Sequence, residues 1–384
     1  MNEQLPNKAE SLLLQACLSD GDKAIDAWRT WQETTPFDDI DLGCRRLLPL
    51  LHDNLRRLGV DDPILTKYEG LKKLHWFQNR LLMFQLEAIL KTFSENKIRP
   101  LLIKGCALNA QGLFAPGLRP MTDMDIVVRA DQALEAAKLV AQLGWQAKSG
   151  QGRSYNESDV RFAHHGKFEK DPGLVIELHW ETASQFFRGE PSDTAWSNAT
   201  LIHHAGQPCC GLAPADHLLL ILAHGGYKNN ISPIRWVTDA IAILNAHVID
   251  WDYFVSQAKQ HRLAFAVRGM LTYLKSNYFD AIPIATLNSL DAVCVTPFER
   301  RVWTTLQSPN QQVGFRAATE FHWIQLQRVT GGRISIRAFF SYLKYTTSLR
   351  RNGKGLSGLL KNIGKRLRNT IRPQNKPELA SRKS

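Results

Sequence analysis

Apolar residues recur at three- and four-residue intervals through most of the first hundred positions. AESLLLQACL, GDKAIDAWRTWQ and DIDLGCRRLLPLLHDNLRRLG carry this period, which marks helices with one buried face. ILTKYEGLKKLHWFQNRLLMFQLEAILKTFSENK sustains it over many turns and reads as one long helix. At IRPLLIKG the period changes. Pro100 ends the helix, and LLI, closed by Lys104 and Gly105, is a short apolar run suited to a buried strand. CALNAQGLF follows as a short helix or turn, APGLRP as a loop and DMDIVV as the next strand. ADQALEAAKLVAQLG is an amphipathic helix closed by Gly144. WQAKS, VRFAHHGKFEK and GLVIELHW read as strands, with the polar loop GQGRSYNESD after the first. From Pro214 the helical period returns in PADHLLLILAHGGYK, PIRWVTDAIAILNAH and DWDYFVSQAKQHRLAFAVRGMLTYLKSN.

The pattern divides the chain into four parts. An N-terminal helical region covers 1–97, an α/β core 98–212, a C-terminal helical domain 213–330 and a basic, partly disordered tail 331–384. Charge sharpens the last boundary. Of the net +12, all of the excess lies in residues 328–384, where fifteen Lys and Arg face a single acid, Glu378. The body is close to neutral, so any attraction to polyanions belongs to the tail. Within it, GLSGLLKNIGKRLRNTIRP is a basic amphipathic helix that fits an anionic membrane surface, RNA, or packing of its leucine face on the protein. No apolar run approaches the ~18 residues needed to span a bilayer, and the start lacks a secretory signal. The six cysteines form neither a disulfide framework nor a zinc spacing. The expected location is the cytoplasm, with the tail as the one segment able to hold the protein against the inner face of a membrane.

Two strands carry charges that a core strand should not. In DMDIVV, Asp123 and Asp125 are two apart and project to one side, with Met124 on the other. Two carboxylates on one strand face repel unless a cation lies between them or one is protonated. A magnesium-type ion takes oxygen ligands and keeps places for phosphate. In LVIELHW, Glu177 lies inside a second apolar strand, costly to bury unless paired or metal-bound, and His179 shares its face. Three carboxylates on two strands match the two-metal pattern for in-line displacement at phosphorus. LLIKGCAL offers Lys104 and backbone N–H groups to phosphate where a strand runs into a helix, and Arg119 is a second candidate partner for phosphate charge. Of His164 and His165, only one can face a site on that strand. Arg235 and Asp239, four apart on a helix, read as a local ion pair.

The order K-G-x-x-L, then R-x-x-x-D-h-D-h-h-V, then h-E-h-H-W resembles the nucleotidyltransferase superfamily built on the polymerase-β-like minimal fold. More narrowly it is similar to the bacterial family of uncharacterised nucleotidyltransferases, over roughly residues 75–280. The resemblance implies an α+β fold: a polymerase-β-like core, a small mixed sheet with few helices, flanked by N-terminal and C-terminal helical regions. It implies that Asp123, Asp125 and Glu177 are catalytic and hold two Mg²⁺ ions, with Glu177 helping to deprotonate the attacking hydroxyl. Lys104, Gly105, Cys106 and Arg119 would bind the nucleotide, Gly105 by letting the backbone approach the triphosphate. Cys106 departs from the serine or glycine usual there, and a thiol is a poor hydroxyl substitute for phosphate. His179, His165 and Arg235 are candidate substrate contacts. The implied reaction transfers a nucleoside monophosphate from an NTP, ATP among them, to an acceptor hydroxyl with release of pyrophosphate. A sugar or metabolite in surface-polysaccharide synthesis is the favoured acceptor. A toxin-type enzyme acting on tRNA or protein, and a degenerate fold that binds nucleotide without turnover, are the rivals.

Overall fold

The computed structural model describes residues 5–148, 153–170, 173–182, 190–226, 231–297, 299–300, 303, 323, 326–327, 329–330 and 335–349. Four helices open it: α1 (Lys8–Leu18), α2 (Gly21–Thr34), α3 (Leu42–Arg45) and α4 (Leu48–Arg57). Asn7 starts α1 through a reciprocal capping box with Glu10, which satisfies two otherwise orphaned backbone donors. The long helix expected from the sequence is α5 (Ile64–Glu95), 32 residues without a break.

The chain then builds a seven-stranded mixed sheet. Its strands are β1 (Leu101–Leu102), β2 (Met124–Val127), β3 (Gln146–Ala147), β4 (His165–Lys170), β5 (Leu174–His179), β6 (Thr200–His204) and β7 (Gln207–Gly211). They lie in the order β3-β4-β5-β2-β1-β7-β6. Between them run α6 (Lys104–Ala110), α7 (Ala133–Gln142), α8 (Glu157–Phe162) and α9 (Glu190–Ser197). β2 and β5 are parallel neighbours in a register that sets Asp125 beside Glu177 and Val127 beside His179. Because side chains alternate along each strand, Met124, Ile126, Ile176 and Leu178 all turn to one face. There they pack with Leu86, Ile89 and Phe93 of α5 and with the alanines of α7. Asp125, Glu177 and His179 are left on the other face.

After the sheet come α10 (Pro214–Gly225), α11 (Arg235–Ala246), α12 (Trp251–Gln260), α13 (Ala264–Asn277) and α14 (Ile284–Asp291), and later α15 (Ile336–Leu349). A single apolar cluster joins α1, α2 and α4 to α10–α14, with Leu14, Trp31, Leu51, Leu222, Val237 and Leu271 among its members. Helices far apart in sequence therefore share one core beside the sheet.

Three local features bear on the sequence pattern. Residues 157–162, read as polar loop and strand, form α8, because Asn156 accepts from the backbone N–H groups of Ser158 and Asp159 while Asp159 caps Asn156 in return. The β6–β7 hairpin turns at Ala205 and Gly206, both with positive φ (49° and 78°). Such a turn normally advertises itself with Asn-Gly, and alanine hides it. All six cysteines are free, as their spacing implied. The amphipathic segment 355–373 of the tail lies outside the described residues. Among the described residues no helix is long and apolar enough to cross a membrane.

Candidate functional site

On the polar face of the sheet a cavity of about 340 Å³ is bounded by β2, β5, α6, α10 and α11. Asp123, Asp125 and Glu177 form one wall; Lys104, Arg119 and Arg235 are the charged groups facing them, with Arg46 from the N-terminal helices. A concave site lined by both carboxylates and cations can hold an anionic group through a bridging cation or directly.

The acids are held differently. Asp125 is buried, and its Oδ1 accepts from Lys104 Nζ at 2.8 Å and from His179 Nε2 at 3.0 Å. Burial alone would raise its pKa, yet Lys104 and His179 hold the carboxyl well below the ordinary range. Glu177 lies 3.5 Å from His179 and 3.9 Å from Lys104. Against the cost of burial, the hydrogen bond from His179 brings it down to about 2. Asp123 has no cationic partner within ion-pair distance among the described residues. Burial pushes its pKa up to about 6, and the charges of Asp125 and Glu177 add to the rise. The pair that looked anomalous in the sequence is thus one neutralised carboxylate and one that is not.

Lys104 begins α6 with φ +49°, a left-handed conformation unusual outside glycine and asparagine. Gly105 follows, and its missing side chain is required: a Cβ there would lie 1.8 Å from Arg119 Nη1. The sequence suggested that this glycine admits a triphosphate; the group that approaches it here is the Arg119 guanidinium. Cys106 is not part of the cavity wall. Its side chain is fully buried in the apolar cluster on the opposite face of the sheet, so a thiol contact to nucleotide finds no place. Burial also pushes that thiol's pKa well above its ordinary value, keeping it protonated.

Arg235 and Asp239 do not form the local pair that their spacing suggested. Asp239 instead takes Arg119 in a bidentate bridge, Nε to Oδ1 at 3.0 Å and Nη2 to Oδ2 at 2.7 Å. The planar guanidinium matches two carboxylate oxygens at once, which the helical i, i+4 geometry does not offer Arg235. Arg235 donates to the Pro120 carbonyl, and burial lowers its pKa to about 9. A buried asparagine, Asn79 of α5, completes the scaffold. Its Nδ2 donates to the Arg119 carbonyl at 2.8 Å, and its Oδ1 accepts from Met121 N at 2.9 Å. Asn79 and Asp239 hold the segment that leads into Asp123, and nothing in the sequence marked either for that work. The only available signal was a polar residue on an otherwise apolar helix face.

His179 is buried between the two carboxylates, which raise its pKa in spite of burial. His165 lies opposite it on β4, with Nε2 3.9 Å from Glu177 Oε1. Burial, and then His179, lower its pKa to about 4. Neither histidine is part of the cavity wall; both stand beside its acids. Arg119 and Arg235 do line it.

Among known families, residues 44–278 match that described as uncharacterised nucleotidyltransferase. A solved structure, of an antigenic nucleotidyltransferase-like protein from Paracoccidioides brasiliensis, is similar at a TM-score of 0.36 and 16% identity, over 54% of this chain and 92% of that one. No curated protein matches the chain.

Proposed function

The chain belongs to the uncharacterised nucleotidyltransferase family, and from that premise we propose that it moves a nucleoside monophosphate from an NTP to an acceptor hydroxyl. One observation carries the reading. Asp125 and Glu177 are register partners on parallel strands, Asp123 stands beside them, and all three face a cation-lined cavity. The donor set fits a hard divalent cation such as Mg²⁺: Asp125 and Glu177 bring oxygens within 4.8 Å of each other, and Asp123, whose pKa burial and their charges push up, lines the same cavity. Asp123, Asp125 and Glu177 would be its holders. When bound, the cation supplies positive charge to the phosphate oxygens and acidifies the attacking hydroxyl.

The chain's own groups do the rest. Arg119 and Arg235 neutralise the triphosphate and keep its leaving end in place, as expected where catalysis rests on positioning and charge. Arg119 can do so without moving, since Asp239 already fixes the guanidinium plane. Lys104, which donates to Asp125 at 2.8 Å, lines the same cavity and offers its ammonium to a phosphate there. Glu177, at about 2, is a better anchor than base. It orients the acceptor by accepting the hydrogen bond of its hydroxyl. The acceptor oxygen forms a bond to the α-phosphorus, the bond from that phosphorus to the bridging oxygen breaks, pyrophosphate leaves and the hydroxyl proton passes to solvent. The favoured acceptor is a small polyhydroxylated molecule such as a sugar, which a concave site can take in.

Labelling decides the matter. The purified chain is incubated with each α-labelled NTP, Mg²⁺ and a cell extract, beside an Asp123→Ala/Asp125→Ala control. Label is expected in a small acid-soluble product and absent from the control. Label in tRNA or protein would replace the acceptor; no transfer from any NTP would overturn the enzyme reading.

A further inference from the structure

Beside the carboxylates stands a second set of donors that nucleotidyl transfer does not use. His164, His165 and His179 each bring a ring nitrogen within 4.8 Å of the others. The sheet holds them in place: His165 and His179 are register partners across the antiparallel β4–β5 pair. His164 precedes β4 by one residue, and its backbone carbonyl accepts from Trp180 N at 3.0 Å.

Two details point to a ligand. First, His179 is 1% exposed, its Nε2 is committed to Asp125, and its Nδ1 is buried with no hydrogen-bond partner among the described residues. A metal-ligating histidine has this arrangement, one nitrogen held by a carboxylate and the other given to the ion. Without an ion, Nδ1 is an orphaned polar atom in a protein interior, which costs free energy. Second, His164 Nε2 and His165 Nδ1 are only 2.7 Å apart, so at most one of them carries the proton between them. A tetrahedral ion with bonds of ~2.1 Å sets its ligand nitrogens roughly 3.4 Å apart. The close pair has to open slightly and the third ring to swing inward, both within the reach of imidazole side-chain torsions.

We propose that His164, His165 and His179 form a nitrogen-rich site for a transition-metal dication of the zinc class, separate from the oxygen-lined cavity and clipping β4 to β5. Imidazole donors select Zn²⁺, Co²⁺ or Ni²⁺ over Mg²⁺, which prefers oxygen. The half-buried positions of His164 and His165 leave room for water to complete the coordination sphere.

The test reads binding, so a chain that transfers no nucleotide still decides it. Full-length protein is loaded with Co²⁺ or Zn²⁺ in the presence of excess Mg²⁺, then dialysed. The expected result is one retained ion per chain, intense visible Co²⁺ bands, and retention weakened roughly tenfold or more in His164→Gln. Asp123→Asn should retain the ion as the parent does. Circular dichroism confines the comparison to folded variants, and His165→Gln supplies a second one. No retention by the parent, equal retention by the folded histidine variants, or a loss in Asp123→Asn as large as theirs would each overturn the site. The last result would place the ion among the carboxylates.

Discussion

Asp123→Asn should stabilise the metal-free protein while removing its activity. The pKa of Asp123 is raised to about 6 from the ordinary aspartate value, by burial first and then by Asp125 and Glu177. Every tenfold change in a carboxyl's proton affinity is worth about 1.36 kcal/mol between its charged and neutral forms. The whole rise gives ~3 kcal/mol, and solvent screening at a half-buried carboxyl brings the expected gain to about 2 kcal/mol. The sign follows from the raised folded-state value. The penalty is complete above about pH 6, falls as the folded carboxyl takes up its proton, and vanishes below the unfolded value. At about pH 5 it is roughly half its neutral size. The assay is urea denaturation with a chelator present, comparing parent and variant at about pH 7.5 and about pH 5. Saturating Mg²⁺ should then reverse the order, since binding to the folded state alone stabilises by roughly 2.7 kcal/mol at a hundred times the Kd. A variant no more stable than the parent at neutral pH would refute the idea that three like charges strain this site. So would a gain that does not shrink with acid.

Two further perturbations address the other wall. Gly105→Ala should dislodge the Arg119 guanidinium, whose Nη1 lies 1.8 Å from where the new methyl would stand. The expected cost is about 1–3 kcal/mol in thermal denaturation, together with weaker nucleotide binding by calorimetry. Asp239→Asn leaves Arg119 buried without its counter-charge and should cost about 3–5 kcal/mol. Asp239→Leu/Arg119→Met, lacking both charges, should recover much of that loss in the same denaturation assay.

Much of this fold was legible because the apolar period changes cleanly from helical to alternating at Pro100 and back at Pro214. The alternation in DMDIVV and LVIELHW places Asp123, Asp125 and Glu177 on one side, and the sheet register sets Asp125 beside Glu177. What was not legible is non-local. The partner of Asp239 is 120 residues away, on the far side of most of the sheet in sequence, where no spacing rule reaches. Asn79 works through backbone atoms of residues 119 and 121, so its own neighbours in sequence say nothing of it. Cys106 looked like a site residue because the resemblance puts a serine or glycine there, yet one step along a helix turns a side chain by ~100°, here into the core. The α8 cap was written in Asn156 and Asp159, but with Asn and Asp in place of the Ser and Glu that usually announce it.

The apolar cluster shared by α1, α2, α4 and α10–α14 also governs how the chain is made. On a ribosome, the first helices emerge well before the helices that will cover them, with the whole sheet segment synthesised in between. At ordinary translation rates the roughly 150 intervening residues take about eight to thirty seconds. Throughout that interval Leu14, Trp31 and Leu51 have only the neighbouring N-terminal helices, and nothing of α10–α14, to settle against. The sheet, whose apolar face is covered mainly by α5 and α7, can finish first. The N-terminal helices gain their remaining cover only when α10–α14 emerge, and until then their uncovered apolar side is a surface for a chaperone.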